Sequence, residues 1–418
     1  MLSWLIGLSL MSLLVGWSEP VSWAPVDVTP LADIAGIDEA LLNPVLAPDG
    51  SAFAWDARDA ACIYRFADEA TFCYDWPEGT SLRPRRSNLP AWSPDSRYIA
   101  YTENFFEFLY DSDIWLLDTH SGAWTNRTDD GYYGSPVVDQ NATDHVLLDY
   151  LPTWNPATGE LYFFRSQRRD RVLFDIDYTL QLYKMPADSG EPELVRDLTL
   201  AVPGPLSVER TVAFSQDGTK LALLALPRQS VLESPGAGVW VLDFANNGTH
   251  LAVPLRRLIG ILPDWAEPII LPDAVQWAGD NLVIWLVNDY LSGVIKRTPV
   301  HVDMATGDIT PLVDFSDFTS AADHANARSE QRTVHDEAII GTVLWDESAY
   351  WLVVANGEEE PMGVFELPLP GTDAEPRQVA TIPYQMSPRH MALPSMSDDG
   401  KLLMLHTLFT LREAQPDS

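Results

Sequence analysis

One motif recurs seven times along the chain: an apolar strand ending in a large residue, a polar turn rich in Pro, Asp and Gly, and a second apolar strand. The copies are VLAPDGSAFAW from Val45, AWSPDSRYIAY from Ala91, TWNPATGELYFF from Thr153, AFSQDGTKLALL from Ala213, QWAGDNLVIWLV from Gln276, LWDESAYWLVV from Leu344 and SMSDDGKLLML from Ser395. Each reads as a hairpin, because Asp, Asn and Gly tolerate the left-handed backbone of a tight turn and the flanking β-branched and aromatic residues suit pleated strands. Trp92, Trp154, Phe214 and Trp277 stand at matching positions before the turn and read as packing between adjacent sheets. Asp49, Asp95, Asp217 and Asp399 read as turn residues, not as catalytic acids.

A second pair of strands follows each hairpin, most clearly in DIWLLDTHSGAWTNRT from Asp113, QLYKMPADSGEPELVRDL from Gln181, GVWVLDFANNGTHLAVPL from Gly238 and TPVHVDMATGDITPLVDF from Thr298. Four strands repeated seven times predict an all-β chain folded as a seven-bladed β-propeller, with a six-bladed ring as the alternative. Successive turns lie roughly 46 to 67 residues apart, more than the about 40 to 50 of compact blades. The surplus falls in loops. The last copy supplies only two strands, to about Leu408, and a ring left open there would expose a sheet edge. VDVTPLADI, residues 26 to 34, echoes GDITPLVDF, residues 307 to 315, so an N-terminal strand is expected to close the final blade.

The stretch PAWSPDSRYIAYTE…DSDIWLLDTHSGAWTNRTDD, residues 90 to 130, resembles the repeat of the TolB-like β-propellers, which is related to the propeller domain of dipeptidyl-peptidase-type serine peptidases. The family pattern is a Trp-Ser-Pro-Asp-Gly hairpin, an Asp-Ile-Trp/Tyr strand, a Gly turn and a final Arg/Leu-Thr strand; here Ser96 takes the Gly position. The resemblance covers about residues 26 to 410 and implies a fold, not a ligand.

Composition bounds the function classes. Acidic residues outnumber basic ones by 60 to 26, a formal charge of -34, so phosphate repulsion argues against a nucleic-acid partner. The apolar run from Leu5 to Val15 has the length of a signal-peptide core and is short for a membrane span. Residues 1–24 are thus a signal peptide or N-terminal anchor, 25–410 the propeller and 411–418 a polar tail. The expected location is extracellular or in the cell envelope, with membrane contact only through an uncleaved N-terminal segment. Cys62 and Cys73 are the two cysteines, placed symmetrically about a turn near Ala67 and Asp68, and form a disulfide candidate in an oxidising compartment.

Function is expected in the long connections between blades, near residues 77–90, 129–152, 199–211, 258–274, 316–339 and 383–393. Several carry basic side chains against the acidic background: Arg83, Arg85 and Arg86, then Arg210, then Arg328 and Arg332 with His335, and Arg389 with His390. Arginine forks at one channel mouth would suit a carboxylate or other anion. Tyr132, Tyr133 and Trp265 lie in the same connections as candidate anchors for a protein, peptide or glycan. No G-x-S-x-G elbow, H-E-x-x-H motif, Walker loop or paired C-x-x-C occurs. No cofactor or metal site is expected; calcium is the one ion that the Asp-rich stretches YDSDIW and FDIDY could hold. The sequons at Asn126, Asn141 and Asn247 fall in turns.

The leading expectation is therefore an exported, monomeric, non-catalytic scaffold for a protein, peptide or glycan. The alternatives are a propeller hydrolase or lyase with an Arg, His and acid site at the channel mouth, or a sensor subunit of an envelope complex. An enzyme should place titratable groups with displaced pKa values deep in the channel, whereas a binder should show aromatic side chains on the rim.

Overall fold

Alternation of apolar and turn-forming residues produces the strands where the sequence places them. The structure is a computed structural model that describes residues 42–78, 80, 82, 90–103, 112–131, 147–167, 179–202, 212–225, 236–261, 270–288, 297–312, 337–345, 349–356, 362–369, 377–382, 395–396 and 403–404. The first sheet consists of β1 (Leu42–Leu46), β2 (Ala52–Asp56), β3 (Ala60–Arg65) and β4 (Ala70–Asp75). The second has β5 (Ala91–Trp92), β6 (Tyr98–Thr102), β7 (Ile114–Asp118) and β8 (Trp124–Asn126), and the third β9 (Leu147–Trp154), β10 (Leu161–Gln167), β11 (Gln181–Met185) and β12 (Glu193–Asp197). The fourth comprises β13 (Val212–Phe214), β14 (Lys220–Ala225), β15 (Gly238–Asp243) and β16 (Gly248–Pro254), followed by a single helical turn, α1 (Leu255–Ile259). The fifth holds β17 (Ile270–Ala278), β18 (Asn281–Asn288), β19 (Arg297–Val302) and β20 (Ile309–Pro311), and the sixth β21 (Glu337–Trp345), β22 (Ala349–Asn356), β23 (Met362–Pro368) and β24 (Arg377–Ile382). A hairpin of β25 (Ser395–Met396) and β26 (Leu403–Met404) follows.

All six four-stranded sheets are antiparallel meanders in chain order. The strands of the first five sheets bury apolar residues on both faces, and the second, third and fourth pack between described neighbours. On β14, Leu221, Leu223 and Ala225 join the core shared with the third sheet, while Ala222 and Leu224 join the core shared with the fifth. Equivalent cores join the first sheet to the second through Ala54, Ile63, Ile99 and Leu117, and the second to the third through Ile114, Leu116, Leu161 and Phe163. Burying one such side chain is worth about 1.5–3 kcal/mol, so each seam contributes far more than any one turn. Sheets stacked this way in chain order are the arrangement of propeller blades.

The repeat aromatics do more than fill these seams. The indole N–H of Trp92 donates to the Val45 carbonyl at 3.3 Å, that of Trp154 to Ala91 at 3.0 Å, and that of Trp277 to Ala213 at 2.9 Å. In each case the acceptor lies on the innermost strand of the preceding sheet. Phe214 occupies the same position in the fourth sheet and has no such donor.

The turns follow their chemistry closely. Asp95 Oδ1 accepts the Ser93 hydroxyl at 2.5 Å and the Arg97 N–H at 3.2 Å, and Asp217 Oδ1 accepts the Ser215 hydroxyl at 2.7 Å and the Thr219 N–H at 3.0 Å. These bonds hold the Asp217 carboxyl below its ordinary value. Asp49, Asp95 and Asp217 thus shape hairpins; Asp399 lies outside the described residues. Ser96, in the position where the repeat favours Gly, adopts the left-handed φ of 57°. Its hydroxyl accepts the Asp49 N–H at 3.2 Å, so the serine ties its turn to that of the preceding sheet. Gly218 is bound to its identity: at φ 68°, an added Cβ would lie 2.2 Å from Asn155 Oδ1 on the third sheet.

Cys62 and Cys73 pair across β3 and β4 and are joined as a disulfide. Closing a short loop, it stabilises by about 3 kcal/mol on the chain-entropy account. Three expected connections are shorter than the sequence reading had them. β9 begins at Leu147, β17 at Ile270 and β21 at Glu337, because LLDY, ILPD and EAII continue the pleated pattern of the strands that follow. The turn of α1 was not foreseen either; Leu255 and Ile259 bury against Ala237.

Replacing Asp95 by Ala should lower stability by about 1 kcal/mol, the net worth of the turn hydrogen bonds. A urea titration reads this as a lower midpoint with an unchanged slope; an unchanged midpoint would show that the turn does not need the carboxylate.

Candidate functional site

The connection from the outer strand of one sheet to the inner strand of the next, and the turn between its second and third strands, share one end of every sheet. That loop end is where the sequence reading places function. Its candidate residues Arg83, Arg85, Arg86, Tyr132, Tyr133, Arg210, Trp265, Arg332, His335, Arg389 and His390 all lie outside the described residues. The described residues at this end of the sheets are unexpectedly rich in buried acids.

In the second sheet, Asp113 precedes β7 and is 3% exposed. Its Oδ2 accepts Asn126 Nδ2 at 2.7 Å and its Oδ1 accepts the Thr128 hydroxyl at 3.3 Å. Thr128 Oγ1 in turn accepts the Ile114 N–H at 2.9 Å, and Asn126 Oδ1 accepts the Thr128 N–H at 3.1 Å. The Asn-Arg-Thr tripeptide is thus a lock that fastens the end of the outer strand to the start of β7. The third sheet repeats it with Asp197 and Thr199, whose hydroxyl accepts the Leu180 N–H at 3.0 Å and whose N–H reaches Asp197 at 2.9 Å. Asn126 is therefore engaged in the lock through both its amide oxygen and its amide nitrogen. Asn247 sits in an exposed turn at φ 52° and accepts from Arg196 at 2.6 Å, and Asn141 lies outside the described residues.

Burial pushes the Asp113 carboxyl up to about 7, against the opposing Asn126 bond; the neighbouring acids Asp149, Glu103 and Asp130 push in the same direction. Asp149, at the start of β9, is fully buried and meets Arg165 in a two-pronged contact at 2.7 and 2.6 Å. Burial raises this carboxyl too, and Arg165 opposes the rise. The guanidinium lies 4.8 Å over the Tyr183 ring, which fixes its fork. Glu103 accepts the Trp115 indole N–H at 2.7 Å.

The second and third sheets are also tied by backbone at this end. Ser112 pairs with Leu148 in a parallel bridge, with the Asp149 N–H donating to the Ser112 carbonyl at 2.8 Å and the Ser112 hydroxyl to the Asp149 carbonyl at 2.6 Å. Asp56 ends β2 in the first sheet, 4% exposed, and among the described residues its one hydrogen-bond partner is Asn43 Nδ2, at 2.7 Å from Oδ2. Burial drives its carboxyl up to about 7 as well.

Sequence reasoning missed Asp56, Asp113 and Asp149. Asp113 was read only as part of an Asp-rich stretch open to calcium, and its oxygens are committed to Asn126 and Thr128; FDIDY lies outside the described residues. The recurring Thr two residues beyond Asn126 and Asp197 was the signal that could have identified the strand lock. Among the described residues, no three His, Cys, Asp or Glu side chains converge as metal ligands.

No protein-family model matches the chain, and no curated protein matches it. Solved structures align with it at low identity. A chain of the mitotic checkpoint complex is 11% identical, with a TM-score of 0.47 over 88% of this chain and 83% of that one. The tricorn protease is 10% identical, with a TM-score of 0.44 over 87% of this chain and 31% of that one. An oligogalacturonate lyase from Vibrio parahaemolyticus is 12% identical, with a TM-score of 0.43 over 87% and 77%. These are likenesses of outline and carry no assignment of activity.

Replacing Thr128 by Val keeps the shape but leaves the Ile114 N–H without its acceptor. The expected cost is about 1–3 kcal/mol. Amide exchange at Ile114 should accelerate with it; unchanged protection there would refute the lock.

Proposed function

We propose that this chain is an exported, ring-closed, seven-bladed propeller that performs no chemistry and binds a protein or peptide partner through the unequal connections at its loop end. The observation that carries this reading is the use the platform makes of its polar groups. Asp113 and Asp149 are spent on locking strands and on Arg165, and they lie 3% and 0% exposed beneath the surface where a substrate would sit. The rival hydrolase or lyase draws on the carboxyls pushed up to about 7 at Asp56 and Asp113. A general acid must reach its substrate within hydrogen-bond distance, and these groups face the interior of the sheet stack.

Ring closure is supported by three features. β25 lies beside both β21 and β1. The face of the first sheet turned away from the second, with Phe53, Trp55, Cys62 and Tyr64, is buried although no earlier described sheet covers it. Seven hairpin copies in the sequence match six four-stranded sheets and one two-stranded hairpin, which the segment at residues 26–34 would extend. The reading as an exported protein rests on the apolar run between Leu5 and Val15, and the disulfide suits an oxidising compartment.

Acidic peptides are the probe suggested by the arginines of the first connection. A double variant, Arg85→Ala with Arg86→Ala, should bind an acidic peptide at least about tenfold more weakly, the loss of about 1.4 kcal/mol expected when a charge-assisted contact goes. Equal affinity of variant and wild type would remove those arginines from the site. For closure, deletion of residues 20 to 36 should abolish the cooperative melting transition, and an unchanged transition would count against a closing N-terminal strand.

A further inference from the structure

We propose that Asp56 is a proton-operated latch in the seam between the first two sheets, which tightens when its carboxyl is protonated and loosens when it ionises. Asp56 ends β2 on the same side as Ala52 and Ala54, both of which pack in that seam. One carboxyl oxygen, Oδ2, accepts the neutral Asn43 amide at 2.7 Å. The other, Oδ1, is buried and has no hydrogen-bond partner among the described residues. Asn43 is itself held in the left-handed region at φ 48°, where the register between β1 and β2 shifts. The latch therefore grips an irregular, strained entry to the innermost strand.

Trp76, Tyr101 and Trp124 fill the same seam, with ring centroids 5.4–5.6 Å apart. The Trp76 and Trp124 N–H groups and the Tyr101 hydroxyl are likewise buried without partners among the described residues. Four of the six such atoms thus belong to one seam, a concentration that marks it as the least satisfied polar region described. Tyr101 faces Asp56 from β6, and its phenol is raised by burial and by that carboxyl. From β1 the facing group is the neutral Asn43, and from β3 the cross-strand neighbour is Ala61. Arg58 and Asp59 in the turn after β2, and Asp75 at the end of β4, are exposed, and Glu103 beyond β6 holds the Trp115 indole. No cation compensates Asp56 among the described residues.

A neutral carboxyl fits this surrounding and a charged one does not. The folded state therefore holds the proton more tightly than the unfolded chain. The stabilisation is complete below the ordinary carboxyl value of 3.8 and is lost as pH rises through about 7. Ionisation must either draw water into the seam or shift β1, and Trp76 and Leu82, packed in the same cluster, would move with it.

The test compares wild type, Asp56→Asn and Asp113→Asn, the last because Asp113 titrates in the same range. Between about pH 5 and pH 8, the melting temperature of wild type and of Asp113→Asn should fall by at least about 5 °C more than that of Asp56→Asn. Tryptophan emission of the folded wild type should change across the same interval and stay constant in Asp56→Asn. Equal pH dependence in wild type and Asp56→Asn overturns the proposal. Should Asp56→Asn fail to fold, emission and infrared carboxyl absorption of Asp113→Asn decide: a protonated buried carboxyl lost with a midpoint near 7 supports the latch, and its absence overturns it.

Discussion

Each of the first five sheets is apolar on both faces, and that single property dictates the rest of the described structure. A four-stranded meander with two buried faces cannot stand alone in water; each must be sandwiched, and the chain answers by laying the next meander against it. The indole-to-carbonyl bonds from Trp92, Trp154 and Trp277 then set how far one sheet can slide on another, because each joins a side chain of one innermost strand to the backbone of the previous one. Hydrophobic burial brings the sheets together without direction. The indole bonds give the contact its register.

The architecture was legible in the sequence because its determinants are local. Pro, Asp and Gly at each turn, aromatic residues before it and apolar alternation on both sides encode a hairpin within about a dozen residues. Repetition then multiplied a weak signal. Ser96 shows the limit of that reading: as a substitution for Gly it looked like a departure, yet it keeps the left-handed backbone and adds a bond to Asp49 that Gly lacks. The extents of the connections were overestimated at Leu147, Ile270 and Glu337, because a strand that continues past its repeat has no turn residue to announce its start.

The polar platform was not legible, for a different physical reason. An Asp at a strand end looks the same in sequence whether it shapes an exposed turn, as Asp217 does, or lies buried against a neighbouring sheet, as Asp56 does. Only the three-dimensional neighbours separate the two: hydroxyl and amide donors hold Asp217 low, while burial drives Asp56 and Asp113 up. In a chain of formal charge -34, carboxyls kept neutral inside the sheets are also carboxyls withdrawn from mutual repulsion.

The parallel bridge between Ser112 and Leu148 gives the stack a mechanical asymmetry. The seams between the first and second, third and fourth, and fourth and fifth sheets rest on side chains, which can change rotamer and let adjoining sheets tilt. Between the second and third sheets, main-chain groups are bound to one another, and backbone tilts only by breaking those bonds. Among the described sheets these two form the stiffest pair, and relative tilting is taken up at the seams on either side of them.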